Sequence, residues 1–440
     1  KDTLSLISGC QRKRVNISRT KPVQVVMRRK TILVALAAVV LVAGIITGCS
    51  HGKCAKPSKG RSERVKLFES ANSYANIYMD YTHEDLETLK LFDIVAVEPY
   101  SVPNRRFLEE LKEAGTLVLA YVSVGEADGD RRYWRGWKPS EMNPDNPEIP
   151  RTTLTGKEPF LMGEDPGWPG CYFVDARSRK WREIMIAEEI PYILWLGGGN
   201  FDGLMMDVMD VVDVYEGETW ASEMREGMID LIKGIREKFP DMLLVPNRGF
   251  GILEEIAAYI DAFKFEEMTG AYGNVEGEPH YGEYYLKVDA RGARENQEEI
   301  ELLLEVLEEH PMPVLVLDHV RTHPPDEYSA RRCHDEAERL GGESGQKFVW
   351  YGNSVEQDLY LWPFLGLSGN EGRARTDGAV EIYRPRLPES AQNPAFSPNG
   401  NTIVFTLFHS GYNRGPAVCT RCPSRAETPQ SSFTNLTTTA

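Results

Sequence analysis

Between about Leu67 and Leu367, short apolar runs alternate with longer stretches whose hydrophobic residues recur every three or four positions. The runs Asn76–Met79, Asp93–Glu98, Thr116–Val122, Gly203–Met206, Leu243–Pro246, Ala262–Phe265, Pro313–Leu317 and Lys347–Trp350 predict strands. Their continuous apolar character fits parallel strands covered on both faces. Eight such strands is the count for a (β/α)8 TIM barrel, an α/β fold. The intervening Trp220–Phe239 places Met224, Met228, Leu231, Ile232 and Ile235 on one helical stripe. Glu298–Glu309 repeats the pattern with Ile300, Leu303, Leu304 and Leu307, and Pro240 and Pro311 stop the two helices. A long loop insertion after strand 3, Glu126 to Lys180, is rich in Trp, Pro and Gly and holds its own short strand, Cys171–Val174. Unpaired loops of that length in a compact domain are usually functional.

The pattern changes outside residues 66–388. Residues 1–26 precede a basic stretch, Met27-Arg28-Arg29-Lys30, and read as upstream read-through without function. Residues 27–48 read as a signal peptide, because Thr31 to Ile46 is apolar over the length of a signal core. The segment ends in Ile46-Thr47-Gly48-Cys49, which resembles the lipobox of bacterial lipoproteins. That resemblance implies cleavage before Cys49, lipidation of its thiol, and a membrane-anchored protein facing the periplasm or the extracellular space. A plain N-terminal membrane anchor is the alternative. Residues 49–65, rich in Lys, Ser and Gly, are expected to form a tether. At the other end, residues 389–410 contain Asn393-Pro-Ala-Phe-Ser-Pro-Asn-Gly-Asn-Thr-Ile-Val-Phe-Thr, which resembles one repeat of TolB-like β-propellers. One blade cannot close a ring, so this fragment suggests a truncated second domain able to bind a protein partner. Residues 411–440, Ser/Thr-rich and without periodicity, are expected to be disordered.

Charge narrows the partners. The chain has 440 residues and a formal net charge of -16. Residues 1–48 hold nine Lys/Arg and one acid, which leaves 41 basic and 65 acidic residues in the body. Phosphate is repelled by such a body, so a nucleic-acid partner is not expected. Seven cysteines, widely scattered, do not make a disulfide framework, and Cys419-Thr-Arg-Cys422 lacks the second pair that a zinc site needs.

In a TIM barrel the loops after the strand C-termini form the active face. That rule collects Glu126 after strand three, Asp207 after strand four, Asn247 and Arg248 after strand five, Glu266 and Glu267 after strand six, and Asp318 and His319 after strand seven. Two carboxyl groups flanking a glycosidic bond can cleave it: one protonates the leaving oxygen, the other attacks the anomeric carbon or activates water. Tyr100, Tyr133, Trp134, Trp137, Trp168 and Trp350 fall near strand ends or in the insertion, where rings stack on sugars or simply pack the loops. Asp202, before its strand, falls at the opposite, stability face.

Four linked motifs carry a family resemblance. They are Tyr121-Val-Ser-Val-Gly-Glu126 with Arg132-Tyr-Trp134, Tyr172-Phe-Val-Asp175 with Trp181, Phe201-Asp-Gly203, and Leu204-Met-Met-Asp-Val-Met-Asp210. Together, over most of 74–366, they resemble the endo-α-1,4-polygalactosaminidases of glycoside hydrolase family 114. The resemblance implies a barrel hydrolase that cuts within α-1,4-linked galactosamine polysaccharide and uses no metal or organic cofactor. It makes Asp207 the nucleophile or charge stabiliser and Glu266 the general acid, with Glu267 as competitor because a one-residue shift moves a side chain to the other face. It also makes Tyr121, Glu126, Arg132, Trp134, Asp175 and Asp210 candidates for substrate contact, to which the strand ends add Asn247, Asp318 and Trp350. Asp175 is equally an N-cap candidate for the helix carrying Trp181. Alternatives are a related α-glycosidase with another substrate and a non-catalytic sugar-binding lipoprotein.

Overall fold

The structure is a computed structural model. It describes residues 59–355, except 79–80, 274–279, 289–293 and 323–324, together with four short strands between 390 and 436. The read-through, signal and lipidation expectations, Cys49 included, lie outside the described residues.

In chain order the strands are β1 (Tyr74–Ile77), β2 (Ile94–Val97), β3 (Leu117–Ser123), β4 (Glu126–Asp128), β5 (Leu161–Glu164), β6 (Cys171–Val174), β7 (Gly203–Asp207), β8 (Leu243–Pro246), β9 (Phe263–Glu266), β10 (Gly270–Tyr272), β11 (Tyr284–Leu286), β12 (Val314–His319) and β13 (Phe348–Asn353). Strands β1-β2-β3-β7-β8 pair in parallel as one run, and β9-β12-β13 as another. The runs meet where Asn247 bridges in parallel to Lys264 and the Arg248 amide donates to the Lys264 carbonyl at 3.0 Å. On the far side Tyr351 of β13 sets its ring edge-on to Tyr74 of β1, at 5.9 Å between centroids. The order is that of a (β/α)8 barrel, and each of the eight expected runs carries one of its strands. The apolar strand residues are buried, as their sequence requires. The helices Ala221–Lys238 and Gln297–Glu309 turn the predicted stripes inward, burying Met228, Leu231 and Ile232 in one and Ile300, Leu303 and Leu307 in the other.

Three expectations are corrected here. The tether of 49–65 is not extended throughout, because Lys59–Ser70 is helical. Its Phe68 is buried, and Arg61 and Arg64 pair with Asp261 and Asp202, so contacts with the barrel base order it despite its polar composition. The insertion is less loop-like than its composition suggests: β6 takes β4 and β5 on its two edges as a small antiparallel sheet. The tail of 411–440 contains strands Ala417–Pro423 and Thr434–Leu436, which join Ser390–Phe396 and Thr402–Phe408 in a four-stranded antiparallel meander. Backbone pairing to the preceding strands, invisible in local composition, supplies their order.

Candidate active site

Strand β7 is apolar for four residues, and its last residue, Asp207, emerges at the C-terminal rim. Strand β9 reads Phe263-Lys264-Phe265-Glu266, so period two puts Lys264 and Glu266 on one face and the two rings on the other. Lys264 is buried inside the barrel, where its ammonium donates to Glu266 Oε2 at 2.9 Å. Between the two carboxylates, at the end of β8, stands Asn247. Its Nδ2 donates to Asp207 Oδ1 at 2.7 Å and to Glu266 Oε2 at 2.6 Å. His319, the last residue of β12, brings Nε2 to 3.2 Å from Glu266 Oε1.

Burial pushes the Glu266 carboxyl up, but the Lys264 ammonium and the His319 imidazole outweigh it and hold the group well below the usual carboxylate range. Burial lowers His319, yet its hydrogen bond to the Glu266 carboxylate prevails and raises it. Glu126 behaves oppositely. Burial first, then a hydrogen bond with Asp165, pushes it up to about 10, so at neutral pH it holds a proton. Asp210 is pushed up to about 6 by burial, against the attraction of Arg248, whose Nε lies 3.2 Å from Asp210 Oδ2.

These groups line one cleft of about 510 Å³, bordered also by Tyr78, Tyr121, Asp128, Asp165, Trp168, Cys171, Tyr272 and Lys287. Tyr78 and Tyr121 meet edge-on at 4.7 Å and give the floor an aromatic surface. Three residues that directly follow site residues have left-handed backbone: Val208 after Asp207, Arg248 after Asn247 and Glu267 after Glu266, at φ 57°, 56° and 55°. Such conformations disfavour non-glycine residues and cluster where a chain must turn sharply to present a side chain. The turn takes Glu267 out of register with Glu266. Its Oε1 accepts from the Tyr272 amide at 3.0 Å and lies 4.0 Å from His319.

Of the sequence candidates, Asp207, Glu266, Glu267, Tyr121, Glu126, Asp210 and Asn247 line the cleft. Five do not, and each has a structural occupation. Arg132 is buried and donates to Asp145 and to the carbonyls of Asn146, Ile149 and Pro150, so it holds the insertion together. Trp134 packs on Tyr133 and Tyr172. Asp175 takes both oxygens to Arg177, while Ser178 caps the helix carrying Trp181. Asp318 is wholly buried; it accepts from the amides of Thr269 and Gly270 and from Trp350 Nε1, which fixes the chain after β9 and occupies Trp350 as well. Among the aromatic candidates Trp168 lines the cleft and is half exposed, whereas Tyr100 and Tyr133 are core. Lys264 was missed. Its signal was a lysine breaking an apolar strand in phase with Glu266. Arg248, beside Asn247 at the end of strand five, stands where the strand order places it, whereas Tyr78, Tyr272 and Lys287 gave no such signal, because only the fold brings them to the rim.

The profile of the glycoside-hydrolase family GH114 matches residues 56–300. An uncharacterized protein of Thermotoga maritima is 27% identical over 173 residues, 36% of this chain and 48% of that protein, so the chain spans about half that relative's length. An uncharacterized protein of Methanocaldococcus jannaschii is 26% identical over 280 residues, covering 62% of this chain and 69% of its own. Among solved structures, the glycoside hydrolase domain of PelA from Pseudomonas aeruginosa is 20% identical with a TM-score of 0.47, covering 66% of this chain and 98% of that domain. The matched profile spans more than half of the sequence and takes in the strands that present Asp207, Asn247 and Glu266, and the chain belongs to glycoside-hydrolase family GH114.

Proposed function

We propose that the protein is an endo-acting hydrolase of α-1,4-linked galactosamine polysaccharide, with Asp207 and Glu266 as its working carboxylates. The observation that carries this proposal is the Asn247 side chain, which donates to both at once from the end of the strand between them. Asp207 Oδ1 and Glu266 Oε2 are therefore no farther apart than bonds of 2.7 Å and 2.6 Å laid end to end. That separation suits a double displacement, which needs carboxyls about 5–5.5 Å apart, better than the roughly 6.5–9.5 Å that leaves room for an inverting water.

In this scheme Asp207 attacks the anomeric carbon and Glu266 protonates the departing oxygen. In the resting protein the Glu266 carboxyl is held ionised, and its hydrogen bond raises the His319 imidazole 3.2 Å away, which favours the protonated ring. His319 therefore returns the proton to Glu266 before the glycosidic oxygen receives it. Afterwards Glu266, again a base, activates the water that frees the sugar from Asp207. Asn247 holds the pair in line. The carboxylates around the cleft favour a polymer bearing ammonium groups, which points to the deacetylated form. The lipobox-like Cys49 fits such an enzyme held at the cell envelope, where exopolysaccharide is found.

Asp207→Asn tests the assignment. Cleavage of purified deacetylated α-1,4-polygalactosamine should fall at least about a thousandfold, with the thermal midpoint unchanged. Retained turnover removes Asp207 from the chemistry, and full turnover of a different α-linked polymer by the native chain transfers the proposal to that substrate.

A further inference from the structure

Strand β4 reads Glu126-Ala127-Asp128, and its alternation turns Ala127 into the core and the two carboxylates to the cleft. On the antiparallel neighbour β6, Cys171 is the residue directly opposite Asp128. One oxygen from each carboxylate and the Cys171 sulfur all lie within 4.8 Å of one another. Glu126 is 3% exposed and Asp128 6%, yet Glu126 Oε1 and Asp128 Oδ1 have no hydrogen-bond partner. Buried oxygens without partners are costly unless something satisfies them.

The nearest cation does not fill this role. Arg131 donates to the other oxygen of Asp128, Oδ2, from Nη2 at 2.8 Å and Nε at 3.0 Å. It is itself held by both oxygens of Glu98, at 2.6 Å and 2.9 Å. Asp128 Oδ1 is left without a hydrogen bond.

We propose that Glu126, Asp128 and Cys171 form a three-ligand site for a zinc-class divalent cation in the wall of the cleft. The sulfur decides the class. A thiolate is a poor partner for calcium or magnesium and adds little for an ammonium ion, but two carboxylates and a thiolate suit zinc or cadmium. On binding, the Cys171 thiol and the Glu126 carboxyl release their protons to solvent, and the cation takes both oxygens and the sulfur. The fourth position faces the cleft and holds water. The cation ties β4 to β6 and stiffens the wall; it takes no part in the cleavage proposed for Asp207 and Glu266.

The test uses the full chain carrying Cys419→Ala and Cys422→Ala, stripped with chelator. Cadmium titration should give an ultraviolet thiolate-to-cadmium band that saturates at one equivalent and is removed by zinc but not by millimolar calcium. Cys171→Ala should abolish the band, and Asp128→Asn should weaken binding at least tenfold. In the unaltered protein zinc should raise the thermal midpoint and slow alkylation of Cys171, read by peptide mass. A band that persists in Cys171→Ala, displacement by calcium, or zinc that leaves Cys171 alkylation unchanged would each overturn the site. None of these readouts depends on polysaccharide cleavage, so their failure leaves the hydrolase assignment untouched.

Discussion

At the residue scale, adjacent acids have different neighbours. Glu266 shares its face of β9 with Lys264, and Lys264, His319 and Asn247 all touch its carboxylate. Glu267 turns away to the Tyr272 amide and lies 3.6 Å from Lys287. Glu266→Gln should therefore lower the cleavage rate by at least about a hundredfold, and Glu267→Gln by far less; the reverse ranking in steady-state kinetics would exchange their roles. Glu126 allows a test through stability. Its folded-state value of about 10 lies above the ordinary 4.5, so between these values the unfolded chain has released a proton that the folded chain keeps. Stability therefore falls as pH rises above about 4.5. Glu126→Gln removes that slope. With chelator present it should stabilise the protein at pH 7 by on the order of 1–3 kcal/mol and leave it unchanged at pH 4, as urea unfolding at the two values will report.

At the element scale, the site depends on how closely the strand ends pack. After β3 the chain crosses the start of the β7 loop at Gly125, where an added Cβ would stand 1.9 Å from the Val208 carbonyl oxygen. Val208 is the left-handed residue that follows Asp207. Gly125→Ala should thus cost about 1–3 kcal/mol in chemical denaturation and also lower kcat, because the displaced backbone carries Asp207. A loss of stability with kcat intact would separate Gly125 from the site. The strands and helices themselves were legible because burial on both faces writes a continuous apolar run and an inward helical face writes a three- and four-residue stripe. Within the insertion Cys171–Val174 was legible as a strand, but its partners β4 and β5 and the strands beyond 411 were not, because they are held by pairing to partners distant in sequence or by few apolar residues of their own.

For the whole molecule, the barrel separates chemistry at the C-terminal rim of its strands from stability at the N-terminal rim. Asp202 occupies the latter. It accepts from the Val118 amide at 2.9 Å and from Arg64 at 3.1 Å, and Lys112 contacts both of its oxygens. Its own amide and carbonyl bond to Val118 and Leu243. One residue thus joins strands β3, β7 and β8 to two helices. Asp202→Ala should destabilise the protein by about 3 kcal/mol, the low end for a buried pair because both cations reach water. kcat measured below the unfolding transition should stay at the native value.

The eight strands, the helical stripes and the rim position of Asp207, Asn247, Glu266 and His319 were determined by the sequence itself, since strand periodicity and chain order suffice to say which residues end a barrel strand. Whether a rim residue faces the cleft was decided only by tertiary structure. Arg132, Trp134, Asp175, Asp318 and Trp350 have the right chemistry for a sugar site, but each meets a partner that satisfies it elsewhere, and those partners lie in other loops or strands. Tyr78, Tyr272 and Lys287 reach the cleft for the converse reason: closing the barrel brings together side chains whose proximity no local pattern records.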